Sequence, residues 1–486
     1  MRTSVTLQIL LFAAGAGALA QSPGTFTPTG AMILPRFDFT ARLLQDGRVL
    51  IAGGIEASAV GIQASTSAEL YNPSTGTFTA TAHSRTGPSV SQSATLLPDG
   101  RVLLAGGMNP DGRSATALAE IFDPSTSSFT PAGSMSAAKA CPSTALLNNG
   151  KVLVAGGSLS GQPANTATAE LYDPAANTFT SAGPYASIGG SIASGLGWCP
   201  IAVPRPDGKV TIIWLSPAGT GQGSASEVFD PATSTFTALP SFQPVPANGS
   251  VQLGSGLVLF AGEYYGLGAG ADNLAELYDP VLNLVTPTGN MNVERSSQIM
   301  VLLPDGTVLV AGWAGGQSAE IFDPSSGTFT LTGVFPVDYP QTGTLLPDGT
   351  VLISGNSSPG SNVNYIYHPS KLVPAPALFS LSGGGAGQGA IWNPATGQAA
   401  SSQSPSAAGN ILSMYTTSLI AGGVMPPQVS VGGLLANVLW FGDAPGYPGY
   451  FQVNFQVPSG VAAGDAVPVR LIYFGRSSDA VTIATH

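Results

Sequence analysis

A short phrase recurs seven times along the first three quarters of this sequence. Its clearest copy, residues 97–107, places a Pro-Asp-Gly turn between two apolar runs and ends in two glycines. Asp-Gly between β-prone runs predicts a tight hairpin, because glycine accepts the positive φ that such a turn requires. The other copies occupy residues 44–54, 147–157, 303–312 and 346–355, with weaker ones at 206–214 and 253–262.

A second phrase follows each hairpin, and reads Ala-Glu-Leu-Tyr-Asn-Pro at residues 68–73. Most copies continue through a polar turn into a short run that carries phenylalanine, such as Phe78 or Phe129. Each unit therefore contains four short strands, and units repeat every ~43 to 58 residues, which predicts a seven-bladed β-propeller. The seventh unit lacks its fourth strand, whereas residues 24–27 match that strand before the first hairpin. We therefore expect the N-terminal strand to complete the last blade and close the ring.

The charge pattern excludes one large class of partner. Charged residues make up 8% of the chain, the net charge is −11, and the 15 basic residues are scattered. No basic stripe is present, so nucleic acid is not an expected partner. Of the 26 acidic residues, 16 belong to the repeated turns and phrases, and a residue repeated in nearly every blade is first interpreted as scaffold.

Residues 1–20 have the pattern of a signal peptide: Arg2, an apolar run, and Ala18-Leu19-Ala20 before Gln21. A retained membrane anchor is the weaker alternative, because the run is short and rich in alanine and glycine. We expect an exported monomer without a membrane span, either secreted or held at the cell surface or in the periplasm.

The paired glycines and the downstream aromatic positions resemble the kelch repeat of galactose-oxidase-type propellers, with phenylalanine where kelch units usually carry tryptophan. The resemblance covers residues 21–370 and implies a fold that hosts enzymes and binding proteins alike. Copper oxidases on this propeller use two histidines and two tyrosines, with a Tyr-Cys crosslink. The sequence has three histidines, His83, His368 and His486, and they do not match that pattern. We therefore expect no metal and no cofactor.

A second domain follows the repeats. Residues 371–409 are rich in Pro, Gly and Ser and are assigned as a linker and the start of this domain, and residues 410–486 as a small Ig-like β-sandwich. Phrases such as Gln-Val-Asn-Phe-Gln-Val-Pro at 452–458 resemble an uncharacterised C-terminal domain of secreted acidobacterial proteins. That resemblance implies export from the cell and gives no indication of an activity.

Candidate binding residues lie where the inner strand of each unit begins. This end of the propeller carries the connections between strands four and one and between strands two and three, and we name it the loop face; the opposite end is the turn face. Arg36, Lys139 and Arg295 align eleven residues before the turn glycine, and Asp338 takes that place in unit seven. They are interpreted either as an anion or polar-ligand site or, as we favour, as part of the repeat.

Aromatic residues of units four to six are predicted on the same face: Trp198, Tyr264, Tyr265 and Trp313. They serve either to stack on a sugar or peptide or to pack where the repeat degenerates. Cys141 and Cys199 occupy equivalent positions on neighbouring inner strands, and an exported chain favours a disulfide between them.

These features favour a non-catalytic propeller that binds a protein or a glycan through the loop face. The competing hypothesis is an extracellular carbohydrate-active enzyme, a hydrolase or lyase with a site at the channel mouth. Propeller active sites assemble from several blades and need no local motif, although no acid–base pair is recognisable in the sequence. A purely structural surface protein is the third possibility.

Overall fold

The structure is a computed structural model that describes residues 24–58, 61–81, 90–108, 114–156, 168–186, 199–215, 224–242, 249–262, 272–314, 318–337, 339–356 and 362–486. All regular secondary structure in these ranges is β. The expected signal peptide lies outside them. No helix in the described part of the chain is long and apolar enough to cross a membrane.

Seven four-stranded antiparallel sheets form the blades of a β-propeller, as the repeats predict. From the inner to the outer strand they comprise β3 (Thr40–Leu43), β4 (Val49–Ala52), β7 (Ala68–Asn72) and β8 (Thr77–Ala80); β9 (Ser93–Leu96), β10 (Val102–Ala105), β11 (Ala119–Asp123) and β12 (Ser128–Pro131); β13 (Ser143–Leu146), β14 (Val152–Ala155), β15 (Glu170–Asp173) and β16 (Thr178–Ser181); β17 (Ile201–Pro204), β18 (Val210–Trp214), β19 (Ala225–Asp230) and β20 (Thr235–Ala238); β21 (Gly249–Gln252), β22 (Val258–Ala261), β23 (Ala275–Asp279) and β24 (Leu284–Pro287); β25 (Arg295–Leu302), β26 (Val308–Ala314), β27 (Ala319–Asp323) and β28 (Thr328–Thr332); and β29 (Tyr339–Leu345), β30 (Val351–Asn356), β31 (Val363–His368) and β1 (Thr25–Pro28).

The last blade confirms the predicted closure. Strand β1 pairs antiparallel with β31, with Phe26 opposite Tyr367. A strand from the start of the chain thereby supplies the outer strand of blade seven, which gives the strand β31 a partner on its outer side.

Local turn chemistry explains the hairpins. Gly47 has a φ of 86°, and the Asp46 carboxylate accepts a hydrogen bond from the Arg48 amide at 3.0 Å. The second strand of blade one is buried at every position, which explains why the sequence there is a continuous apolar run. Its side chains pack against both neighbouring blades, because a blade in the ring has another blade on each face.

Blade one also has a small three-stranded sheet at the loop face. Its strand β2 (Arg36–Phe37) precedes β3, whereas β5 (Ile55–Ser58) and β6 (Gly61–Ala64) follow β4.

The rest of the chain forms a separate curled sheet whose strands pack as a β-sandwich around one core. Its strands are β32 (Gly387–Gln388), β33 (Ile391–Asn393), β34 (Gln398–Ala399), β35 (Ile411–Thr416), β36 (Gln428–Val431), β37 (Leu434–Asp443), β38 (Phe451–Gln456), β39 (Gly464–Tyr473), β40 (Arg476–Ser477) and β41 (Val481–Thr485). The first three of these strands fall in the Pro, Gly and Ser-rich stretch that precedes residue 410.

Candidate functional site

The glutamate of the second repeated phrase holds the loop face together. Glu69 accepts hydrogen bonds from the backbone amides of Ile33 (2.7 Å) and Leu34 (3.1 Å), in the connection that leads into blade one. Glu320 does the same for Asn292 and Val293, at 2.7 and 3.2 Å. The repeated glutamate is therefore scaffold, as the repetition of this residue suggested.

The repeated basic residues complete the same arrangement. Arg36 is 1% exposed, lies 2.7 Å from Glu69, and donates to the carbonyls of Gly53 and Ser67. Arg295 is 0% exposed and lies 3.0 Å from Glu320. These guanidinium groups are enclosed by their own blades, so the ligand-binding interpretation is corrected to the structural one: a ligand has no surface of Arg36 or Arg295 to contact.

Lys139 shows a weaker version of this pair. Its side chain is fully buried, its Nζ lies 3.8 Å from Glu170, and it donates to the carbonyl of Thr168. Burial lowers the pKa of Lys139 to about 8, an effect that the negative charge of Glu170 partly offsets. Lys139 is likewise corrected from a candidate ligand residue to a buried structural one.

A row of strained backbone positions marks the start of the inner strands at the loop face. Asp38, Ser91 and Cys141 have φ values of 54°, 52° and 56°. Each stands nine residues before its turn glycine, so the left-handed conformation belongs to the position and not to one residue type. Non-glycine residues adopt this conformation at a cost of about 1 kcal/mol, and such positions cluster at functional sites.

Blades six and seven have β-bulges at or next to this position. The pairing of β25 with β26 shifts register between Ser296 and Gln298, and that of β29 with β30 shifts between Pro340 and Thr342. The extra residue of blade seven, Gln341, accepts a hydrogen bond from the amide of Asp38 at 3.1 Å. A bulge in the last blade thus joins the strained position of the first.

Cys141 lies in this row, and Cys199 occupies the equivalent position of blade four, nine residues before its turn glycine. Cys141 and Cys199 form a disulfide with Cα atoms 5.2 Å apart, and the bond links blades three and four at the start of their inner strands. Four other candidates lie outside the described residues: Trp198, Tyr264, Tyr265 and Asp338. The backbone of Trp313 in β26 pairs with Ser296 in β25, at the loop-face end of blade six.

The C-terminal domain covers the turn face. Ser430 donates to the carbonyl of Pro98 at 3.0 Å, and the amide of Val424 donates to Gly254 at 2.9 Å. Arg476, which is 3% exposed, donates to the carbonyls of Pro347 and Val373, both at 2.7 Å. Contacts to the hairpin turns of several blades therefore fix the domain against the propeller.

A groove of about 690 Å³ runs between the turns of blades two and three and the C-terminal domain. The basic groups in it are paired: Arg101 with Asp99 at 2.7 Å, and Lys151 with Asp173 at 3.1 Å. Its charges are thus balanced by neighbouring residues of the turns.

An exposed aromatic surface on the C-terminal domain was not anticipated from the sequence. We define it by Trp440, Tyr415, Tyr447, Gln452 and Asn454. Trp440 is 44% exposed and Tyr447 58% exposed, and the rings of Tyr415 and Tyr447 are 5.6 Å apart. The sequence signal for this surface is the alternation of apolar and polar or aromatic residues in β35 and β38. Every second residue of these strands is buried, so the residues between them point away from the core.

Gly442 leaves space for the indole ring of Trp440 to lie flat on this surface. A Cβ at Gly442 would lie 3.1 Å from the indole of Trp440, so the ring lies over the backbone of its own strand. Asn454 is opposite Trp440 in the neighbouring strand, and Gln452 is opposite Gly442. The Asn454 oxygen accepts from Ser413 at 2.7 Å and Gln452 at 2.9 Å, which leaves the Asn454 amide hydrogens available.

No protein-family model matches the sequence, and no curated protein matches it. Among solved structures, the chain resembles one described as a novel fungal alcohol oxidase with catalytic diversity among the AA5 family, in complex with copper. The TM-score is 0.60 at 18% sequence identity, over 96% of this chain and 100% of the other. This likeness supports the fold: a seven-bladed propeller with a C-terminal β-domain.

The copper of that relative prompts a test of the side chains present here. Copper sites draw on imidazole and sulfur ligands. Across the described ranges, no three His, Cys, Asp or Glu side chains gather as a metal-binding group. His368 is on the outer part of blade seven, 2.8 Å from Thr27, and both cysteines are in the disulfide. The described residues do not fit a copper centre; His83 lies outside them.

Proposed function

We propose that this protein is an exported, non-catalytic propeller that binds a protein or a glycan through the loop face. The observation that carries the proposal is the docking of the C-terminal domain on the turn face, with contacts such as Ser430 to Pro98 and Arg476 to Pro347. A partner therefore approaches the channel from the loop face, where the connections vary in length and the inner strands begin in strained conformations.

Of the two ligand classes, the aromatic surface favours a glycan. An aromatic ring with polar groups beside it suits sugars, which present both C–H faces and hydroxyl groups. Trp440 and Tyr415 supply the rings, and Asn454 and Gln452 supply amides. We propose this surface as a second contact for the same type of ligand.

The alternative remains an extracellular carbohydrate-active enzyme with its site at the channel mouth. The likeness to an alcohol oxidase is its support, and that likeness is one of fold. Turnover of any bound glycan, seen as new products by mass spectrometry after incubation with the protein, would replace the binding proposal with the enzymatic one.

A glycan array tests the binding proposal, with residues 21–486 as the probe. Trp198→Ala tests the loop face, Trp440→Ala tests the aromatic surface, and Leu282→Ala, at a side chain 70% exposed on blade five, is the control. We expect binding that falls at least tenfold in Trp198→Ala and severalfold in Trp440→Ala, with Leu282→Ala unchanged.

Binding that is equal in all variants would contradict the proposed surfaces. An array without signal would exclude the glycan and leave the protein ligand, to be sought by crosslinking to the loop face.

A further inference from the structure

A second cavity lies where the inner strands of the propeller meet the C-terminal domain. Its volume is about 260 Å³. The inner strands of four blades contribute Arg42, Thr95, Thr144 and Gln252 to its wall, and the C-terminal domain contributes Met425 and Phe474. Both domains thus line the cavity.

Arg42 is not a repeat residue. It stands five residues before the turn glycine of unit one, on the inner strand β3. The other six units carry Thr95, Ala145, Val203, Val251, Val301 and Thr344 at that position. Small or apolar side chains satisfy the fold there, so the arginine is not required by the packing of a blade.

Arg42 also has no partner in the part of the chain that the structure describes. Among the described residues its guanidinium forms no ion pair and donates no hydrogen bond, and its Nε is buried. Arg36, in the same repeat unit, pairs with Glu69 and donates to two carbonyls. Burial lowers the pKa of Arg42, because desolvation disfavours the charged form.

An isolated charge inside a protein is costly unless an opposite charge or hydrogen-bond acceptors compensate it. No carboxylate lines this cavity. No described residue therefore supplies the compensating negative charge, which leaves the guanidinium available to an anion from outside the chain.

The remaining wall groups suit an oxyanion. Thr95 donates its hydroxyl hydrogen to the Thr144 oxygen at 2.8 Å, which leaves the Thr144 hydroxyl hydrogen available for another acceptor. Since a water molecule occupies ~30 Å³ of liquid, the cavity has room for a tetrahedral anion and several waters. We propose that this cavity binds a small oxyanion, a phosphate, sulfate or carboxylate, through the Arg42 guanidinium and the Thr144 hydroxyl.

Such an anion would stabilise the contact between the domains, since Met425 and Phe474 close the same cavity. This site is independent of the glycan-binding proposal, because it lies at the turn end of the channel and uses none of the loop-face residues.

Isothermal titration calorimetry of residues 21–486 with inorganic phosphate tests the site, at constant ionic strength maintained with sodium chloride. Arg42→Met removes the charge and keeps most of the side-chain length. Arg48→Gln is the matched control, since Arg48 is a partly exposed arginine of the same blade, paired with Asp46 at 2.6 Å. We expect Arg42→Met to weaken phosphate binding at least tenfold and Arg48→Gln to leave it unchanged.

Titrations with sulfate and acetate then show which of the three oxyanions, phosphate, sulfate or carboxylate, the cavity prefers. Absence of binding by all three anions to the wild-type protein would overturn the proposal, as would equal affinity in Arg42→Met. If Arg42→Met does not fold, Thr144→Val replaces it: a severalfold loss of affinity supports the site, and an unchanged affinity contradicts it.

Discussion

Phe26 and Tyr367 lie near opposite ends of the propeller sequence, and their ring centroids are 4.9 Å apart. Tyr71 and Phe78 lie on neighbouring strands of blade one, and their ring centroids are also 4.9 Å apart. The closing blade therefore reproduces, between distant residues, a contact that other blades make locally. The ring of Phe26 also lies 5.4 Å from that of Phe335, which links the closing strand to the connection between blades six and seven.

Ring closure predicts that Phe26→Ala costs as much stability as the same change within a blade. Phe179→Ala is the matched control, because Phe179 is also half-buried and its ring lies 4.9 Å from Tyr172. We expect each variant to lose ~2 kcal/mol in chemical denaturation, less than a fully buried phenylalanine. Deletion of residues 21–30 should lower the melting temperature further. If Phe26→Ala left the free energy of unfolding unchanged while Phe179→Ala lowered it, closure by β1 would be contradicted.

The buried pair of Arg295 and Glu320 predicts strong coupling between these residues. Either Arg295→Met or Glu320→Leu leaves an uncompensated buried charge and should cost roughly 3 to 5 kcal/mol. The double variant removes both charges and should cost clearly less than the sum, which urea unfolding of all four proteins measures. Additive losses would show that the two side chains do not depend on one another.

Lys139 predicts a pH dependence of stability in alkaline solution. Its pKa is lowered to about 8 in the folded protein, from 10.5. Between these values the unfolded chain binds more protons than the folded one, so the free energy of unfolding rises with pH. The stability of the wild type relative to Lys139→Met should therefore increase from pH 8 to pH 10. A difference that is constant with pH would show that the lysine titrates normally.

The disulfide predicts a large loss of stability when it is removed. Cys141 and Cys199 are separated by 58 residues, and closing a loop of this length stabilises a protein by ~4 kcal/mol in the chain-entropy account. The double variant Cys141→Ser/Cys199→Ser should lose about that amount in denaturant unfolding. Mass spectrometry of non-reduced peptides should show the two cysteines linked; free thiols in the exported protein would contradict the bond.

The sequence alone determined the architecture. The local signals are the Asp-Gly turns, the period of the units and the unpaired copy of the fourth strand. They suffice because a propeller repeats the same four-stranded unit seven times. The C-terminal strands were likewise predictable from the alternation of apolar and polar residues, because successive side chains in a strand point to opposite faces of the sheet.

The tertiary structure decided the roles of single side chains. Arg36 and Glu69 lie on different strands, so only the folded blade shows that they form a buried pair and not a ligand site. Trp440 became part of an exposed surface because Gly442 leaves space beneath its ring. Arg42 is distinguished by the partners it lacks. Burial, pairing and isolation arise from residues distant in sequence, and a linear pattern does not specify which of them meet.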